Sequence, residues 1–144
     1  ARRGYAVGVN YHANADTAHA VVAEIVQGGG RAVALQADVS QEDQVLRMYG
    51  ELDRQLGRID ALVNNAGILE QQMRVDQMSA ERLLRVLSTN VIGAFLCARE
   101  AVRRMSTRHG GQGGAIVNVS SAAARLARPT NTWTTPPPRA PWTR

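Results

Sequence analysis

Between Tyr5 and Ser120 the apolar positions alternate between short continuous runs and longer stretches spaced at the helical period. Residues 5–10 form the first short run and predict a strand. Ala18, Val21, Val22, Ile25 and Val26 then recur at i, i+3, i+4, i+7 and i+8, which predicts a helix with one buried face. Asn14 is the candidate cap, and Gly28-Gly29-Gly30 stops the helix because glycine accepts the left-handed conformation. Residues 32–36 predict a second strand. A second helix follows, with Ser40 as its cap, Asp43 placed to close a capping box, and a stripe of Val45, Tyr49, Leu52 and Leu56. Residues 59–63 predict a third strand that runs into Asn64-Asn65-Ala66-Gly67. A long helix starts after Ser79, its stripe running Leu83, Leu87, Val91, Ala94, Ala98, Val102 and Met105. A glycine-rich turn, residues 109–114, separates it from a fourth strand at 115–119.

Strands of mostly apolar residues separated by helices indicate an α/β fold of βαβ units, with a parallel sheet covered on both faces. The pattern stops near Leu126. All five prolines and both tryptophans lie beyond it, and Thr134-Thr135-Pro136-Pro137-Pro138 cannot continue a helix or a central strand. The expected organisation is one partial domain over 1–126 and a disordered, extended or out-of-frame tail over 127–144.

Composition narrows the classes. No run of about 18 apolar residues exists, so no membrane span is expected, and the N-terminal residues lack the apolar core of a secretory signal. Cys97 is the single cysteine and sits in an apolar helical pattern, which favours a reducing, cytoplasmic setting and a core role. The net charge of +5 suggests nucleic acid, but its distribution does not. Residues 1–124 hold 13 arginines and all 12 acids, whereas 125–144 hold 4 arginines and no acid. The charge belongs to the tail, without a basic-aromatic stripe, so no nucleic-acid partner is expected. Lysine is absent altogether, which removes any lysine chemistry from these 144 residues.

In a doubly wound sheet, ligands bind outside the carboxyl ends of the strands. Asn10, Asp38-Val39, the segment 64–67 and Ser120-Ser121 all fall on that edge. Each also has a plainer reading. Asp38 can cap the turn after it, Asn64 and Asn65 can be turn residues, Asn90 can be a satisfied structural amide among apolar neighbours, and a serine at 120 or 121 can cap a helix.

Ala37-Asp38-Val39, the run Asp60-Ala61-Leu62-Val63-Asn64-Asn65-Ala66-Gly67, Asn90-Val91-Ile92-Gly93 and Ile116-Val117-Asn118-Val119-Ser120-Ser121 together resemble successive motifs of the short-chain dehydrogenase/reductase family, in order and spacing. The resemblance implies a Rossmann-type doubly wound parallel sheet and hydride transfer between NAD(P)(H) and a small-molecule carbonyl or alcohol. It places Asp38 on the adenine ring with Val39 beside it, and Asn10, Asn65, Ala66 and Gly67 along the cofactor. It makes Asn90 the catalytic asparagine, which distorts its helix and holds a water. Ser121, in preference to Ser120, becomes the serine that hydrogen-bonds the substrate oxygen. No acid follows the first strand at Asn10-Tyr11-His12, which leans toward NADP over NAD, with Arg2 or Arg3 as candidate phosphate ligands. A homo-oligomeric parent enzyme is also implied.

Three parts of the family pattern are not in this sequence: the first central strand with its TGxxxGxG loop, the YxxxK pair, and the later strands. The missing strand is expected between the strands at 5–10 and 59–63. This stretch alone is therefore expected to be inactive. The alternative is a non-catalytic fragment or pseudogene product that retains only a subunit-association surface. Residues from about Ala127 are expected to be an out-of-frame translation. If Thr132 to Arg139 are encoded ACG TGG ACT ACG CCG CCT CCA AGG, the shifted frame reads Tyr-Val-Asp-Tyr-Ala-Ala-Ser-Lys, which restores YxxxK. Sequencing the coding DNA checks this. Codons compatible with Tyr-Ala-Ala-Ser-Lys are expected, and incompatible ones end the idea.

Overall fold

The structure is a computed structural model and describes residues 1–121 together with the short strand Thr132–Trp133. The expectation for the tail, 127–144, otherwise lies outside the described residues. Strand β1 (Val7–Tyr11) leads to helix α1 (Ala15–Gln27), β2 (Ala32–Gln36), α2 (Glu42–Leu56) and β3 (Ala61–Asn64). Strand β4 (Met73–Arg74) precedes α3 (Ala80–Leu87), a π turn (Ser88–Ile92), α4 (Gly93–Met105) and β5 (Ala115–Asn118). Met73 and Arg74 pair antiparallel with β6 (Thr132–Trp133).

The parallel pairing expected of βαβ units is present. β1 runs beside β2 with Val7 opposite Ala32, and β3 beside β5 with Ala61 opposite Ala115. These are two separate two-stranded sheets, and among the described residues no strand pairs with the second edge of β1 or of β3. The sheet is thus parted between β1 and β3, where the resemblance puts a further strand.

Local chemistry sets the helix ends. The side chain of Asn14 accepts from the Thr17 amide at 3.2 Å and caps α1. Gly29, at φ 80°, makes the left-handed exit that residues with a Cβ rarely adopt. Ser79 caps α3 through the Arg82 amide at 3.3 Å. Ser40 is not the cap of α2: that position is Gln41, which makes no side-chain capping bond. The Ser40 amide instead donates to Asp38 Oδ1 at 2.9 Å, so the capping box with Asp43 does not form. A turn that satisfies Asp38 wins over a cap that would satisfy the helix.

One core spans both sheets. Leu35, Ala37, Val39, Val45, Met48, Tyr49, Cys97, Ala101 and Met105 are buried together, with Leu62 and Ile116 packed against them. Helices α2 and α4 cover this side. On α1, Ala18 is buried and Val22 and Ile25 are half-buried, while Val21 and Val26 of the expected stripe are exposed. On the face away from α4, Val63 of β3, Val117 of β5 and Val119 just beyond β5 are exposed.

The inward face of the long helical run differs from the predicted stripe. Asn90, Gly93, Cys97, Ala101 and Met105 point inward, while Leu83, Leu87 and Val102 are exposed. Close approach is the cause. A Cβ on Gly93 would lie 2.8 Å from Val39 Cγ2 and 3.0 Å from the Val39 carbonyl oxygen, so only a small residue fits against the β2 exit.

Helices α2 and α4 are also joined by charge. Glu100 is 3 % exposed and is met by Arg99 at 3.2 Å, Arg103 at 2.8 Å and Arg104 at 2.9 Å. Arg104 also reaches Asp53 at 2.8 Å, and Arg99 reaches Glu42 at 2.6 Å, both on α2. Burial pushes the Glu100 carboxyl up, but Arg104, Arg103 and Arg99 together bring it below the usual glutamate range. Beside it the Tyr49 hydroxyl donates to the Cys97 carbonyl at 2.8 Å, and the Arg104 guanidinium stands 4.9 Å from the Tyr49 ring centre.

Two stability outcomes follow. Gly93→Ala must move Val39 backbone and is expected to lower unfolding free energy by about 1–3 kcal/mol in denaturant titration. Glu100→Gln is expected to lower it by about 1–3 kcal/mol at neutral pH. Because folding lowers the Glu100 pKa, its contribution is present above the unfolded value near ~4.3 and disappears as pH falls through the folded value. The Glu100→Gln deficit should therefore vanish in strongly acidic solution.

Candidate functional site

The ends of β1 and β2, the segment after β3 and the wall of α3 enclose an open hollow of about 670 Å³. Asn10, Asp38, Val39, Ala66 and Gly67 line it, five of the residues singled out from sequence. Tyr11, His12, Arg85 and Thr89 line it as well and were not singled out as nucleotide contacts. Tyr11 and His12 were within reach, since they directly follow Asn10 on the chosen edge. Arg85 and Thr89 gave no signal, because a polar position on an amphipathic helix normally reads as solvated surface.

Asn10 closes the end of the β1–β2 ladder. Its amide donates to the Leu35 carbonyl at 3.1 Å and to the Ala37 carbonyl at 3.0 Å. Asp38 serves two purposes. Its Oδ1 accepts the Ser40 amide at 2.9 Å, the turn-capping role left open from sequence, while Oδ2 lies 3.9 Å from His12 Nε2. The Asp38 amide donates to Gln44 Oε1 at 2.9 Å, which holds the residue from α2. Val39 is buried against Gly93.

Asn90 is 1 % exposed and sits in the middle of the π turn, so the helix is distorted where the resemblance expects it. Its Oδ1 accepts the Ile68 amide at 2.7 Å and its Nδ2 donates to the Ile68 carbonyl at 2.9 Å. The side chain thereby fixes the segment that carries Ala66 and Gly67, and it does not line the hollow. Asn64 is buried and donates to Asn118 Oδ1 at 3.0 Å and to the Ala94 carbonyl at 3.2 Å, tying β3 to β5 and α4. Further along the same segment, Glu70 is held by Arg85 at 2.9 Å and Arg82 at 3.5 Å. The hydrogen bond from Arg85 keeps the Glu70 carboxyl below the usual range.

Asn65 and Ser121 are both exposed. They follow the adjacent ends of β3 and β5, where Asn64 lies opposite Asn118 and the Val119 amide donates to the Asn64 carbonyl at 2.9 Å. All the sequence-derived residues on strand ends thus share one edge, but Asn65 and Ser121 are not part of the hollow's lining. Neither Tyr49 nor Cys97 is a proton-transfer group for this edge. Burial pushes the Tyr49 hydroxyl far above its ordinary value and the Cys97 thiol up to about 11. Among the described residues no helix is long and apolar enough to cross a membrane, and no three His, Cys, Asp or Glu side chains gather as metal ligands.

Comparison with known proteins finds relatives among oxidoreductases and short-chain dehydrogenases. The chain is 55% identical over 129 residues to the uncharacterized oxidoreductase YgfF of Escherichia coli (strain K12), covering 90% of this chain and 52% of that protein. It is 36% identical over 129 residues to the 3-oxoacyl-[acyl-carrier-protein] reductase FabG of Staphylococcus epidermidis, covering 90% of this chain and 51% of that one. Among solved structures, a short-chain dehydrogenase/reductase from Serratia marcescens superposes with a TM-score of 0.80 at 31% identity, over 90% of this chain and 50% of that chain. The chain spans about half the length of the curated relatives it matches. The family model for short chain dehydrogenase matches residues 1–133. Matched over most of its length, the chain belongs to the short-chain dehydrogenase family.

Proposed function

We propose that this chain is the nucleotide-facing part of an oxidoreductase that moves hydride between NADP(H), in preference to NAD(H), and a carbonyl or alcohol. The single observation that carries the reading is the hollow at the carboxyl ends of β1 and β2, lined by Asn10, Asp38, Val39, Ala66 and Gly67. Its chemistry suits the adenosine half of the cofactor. Asp38 offers a carboxylate oxygen to an exocyclic amine, Val39 supplies an apolar wall, and Ala66 and Gly67 keep the opposite wall small enough for a planar ring to approach. Absence of an acid after β1 leaves no acceptor of the kind that binds a ribose 2′-hydroxyl, which favours the phosphorylated cofactor.

The bound cofactor would supply the hydride. Asn90 holds the 66–68 wall in place through Ile68. Ser121, at the exit of β5, is assigned to the substrate oxygen as a hydrogen-bond donor that stabilises charge developing there. Asn65, at the exit of β3, borders the same track. Proton transfer to that oxygen needs a further group, since the sequence has no lysine and Tyr49 is committed to the Cys97 carbonyl.

Titration calorimetry with NADPH checks the reading. Saturable binding is expected, and Asp38→Ala should weaken it by about tenfold, the size of one charge-assisted hydrogen bond. Lack of any saturable binding would defeat the proposal. Asn90→Ala leaves the Ile68 amide and carbonyl without their side-chain partner. It is expected to reduce stability by about 1–3 kcal/mol and to weaken nucleotide binding. The 144-residue chain alone should not oxidise NADPH in the presence of carbonyl compounds, and steady turnover would contradict that assignment.

A further inference from the structure

We infer that Arg85 is a further nucleotide contact, a guanidinium that meets the base from the α3 wall of the hollow, and that Glu70 braces it for that role. The inference rests on the nucleotide reading of the hollow and adds a contact to it. Arg85 and Thr89 line the hollow one helical turn apart, and Asp38 and Val39 line it from the exit of β2. Glu70 divides its carboxylate between two arginines of α3. Its Oε1 accepts Arg85 Nε at 2.9 Å, and its Oε2 faces Arg82 Nη1 at 3.5 Å. Arg82 also donates from Nη2 to the Gln71 carbonyl, so the acid is held to α3 from its own segment as well. The Arg82 side chain is 12 % exposed and that of Glu70 25 %, whereas Arg85 is 58 % exposed. Only Nε of Arg85 is engaged, and among the described residues its two Nη groups make no hydrogen bond.

A nucleotide offers a guanidinium two kinds of partner, the phosphate and the base. The charge of Arg85 is already matched by Glu70, so the pair exerts little net pull on a phosphate. What the pair leaves available is the plane of the guanidinium and the Nη donors. Both suit a flat heteroaromatic ring, which takes a cation on its face and accepts hydrogen bonds at its ring nitrogens. Bracing at Nε fixes the side chain before the ligand arrives, so less rotamer freedom is lost on contact. An ammonium group in the same place would carry the charge without the plane.

Binding of adenosine and of 5′-AMP to the full 144-residue chain, measured by titration calorimetry, tests this. Arg85→Ala should weaken both probes equally, by about three- to fivefold, the size of one partly exposed cation–π contact. Arg85→Lys should weaken them to the same degree. Glu70→Ala should weaken both as well, yet add no further loss in the Arg85→Ala background, because a brace has nothing left to hold. Circular dichroism verifies that the variants are folded. Unchanged affinity in Arg85→Ala makes Arg85 and Glu70 a plain surface ion pair and overturns the inference while leaving the nucleotide site standing. A loss confined to 5′-AMP and restored by Arg85→Lys assigns Arg85 to the phosphate and likewise overturns it. A Glu70→Ala loss that persists in full without Arg85 overturns the brace. Failure of both probes to bind the unsubstituted chain overturns the inference and the nucleotide reading together.

Discussion

A buried amide must be hydrogen-bonded, and the way Asn90 meets that requirement organises the hollow at the strand ends. Buried polar groups without partners are costly enough to decide local structure. Asn90 finds both partners on one residue, Ile68, through a donor and an acceptor at once. The loop after β3 is consequently fixed to a helix about twenty residues downstream in sequence. Ala66 and Gly67 lie within that loop and form one wall of the hollow. The helix accommodates the inward amide by widening to a π turn, and Gly93 immediately after it lets α4 close onto Val39. Loop, helix and β2 exit are therefore positioned by one side chain and one missing Cβ.

Much of this was legible in the sequence because it is written in short-range chemistry. The four parallel strands, the caps at Asn14 and Ser79, and the stop after Gly28 follow from periodicity and from which residues accept unusual backbone angles. Asp38, Val39, Ala66 and Gly67 were singled out because they sit where apolar runs end and within motifs that resemble the family's, and all four line the hollow. What was misread depends on contacts distant in sequence. The stripe from Leu83 to Val102 looked like the buried face, yet the real one carries Asn90, Gly93, Cys97 and Ala101. Hydrophobicity alone favours large residues inside, whereas a close helix crossing favours small ones. Ser40 was misassigned for a similar reason, because Asp38 took its amide first. His12 and Arg85 became visible as hollow-lining residues once the strands and α3 were placed together.

Charge is divided between two places on the same scaffold. Glu100 gathers three arginines at the α2–α4 contact, while Glu70 occupies Arg85 at the wall of the hollow. Seventeen arginines and no lysine place planar, permanently charged guanidinium groups at every one of these positions.

The parted sheet has a mechanical consequence. Among the described residues no backbone ladder runs between the β1–β2 pair and the β3–β5 pair, so the two are joined through side chains: Tyr49 on the Cys97 carbonyl, Arg104 on Asp53, Arg99 on Glu42, and Val39 against Gly93. The molecule is built like two planks joined by pegs. How firmly the two pairs of strands are held together is therefore set by the contacts that pin α2 to α4.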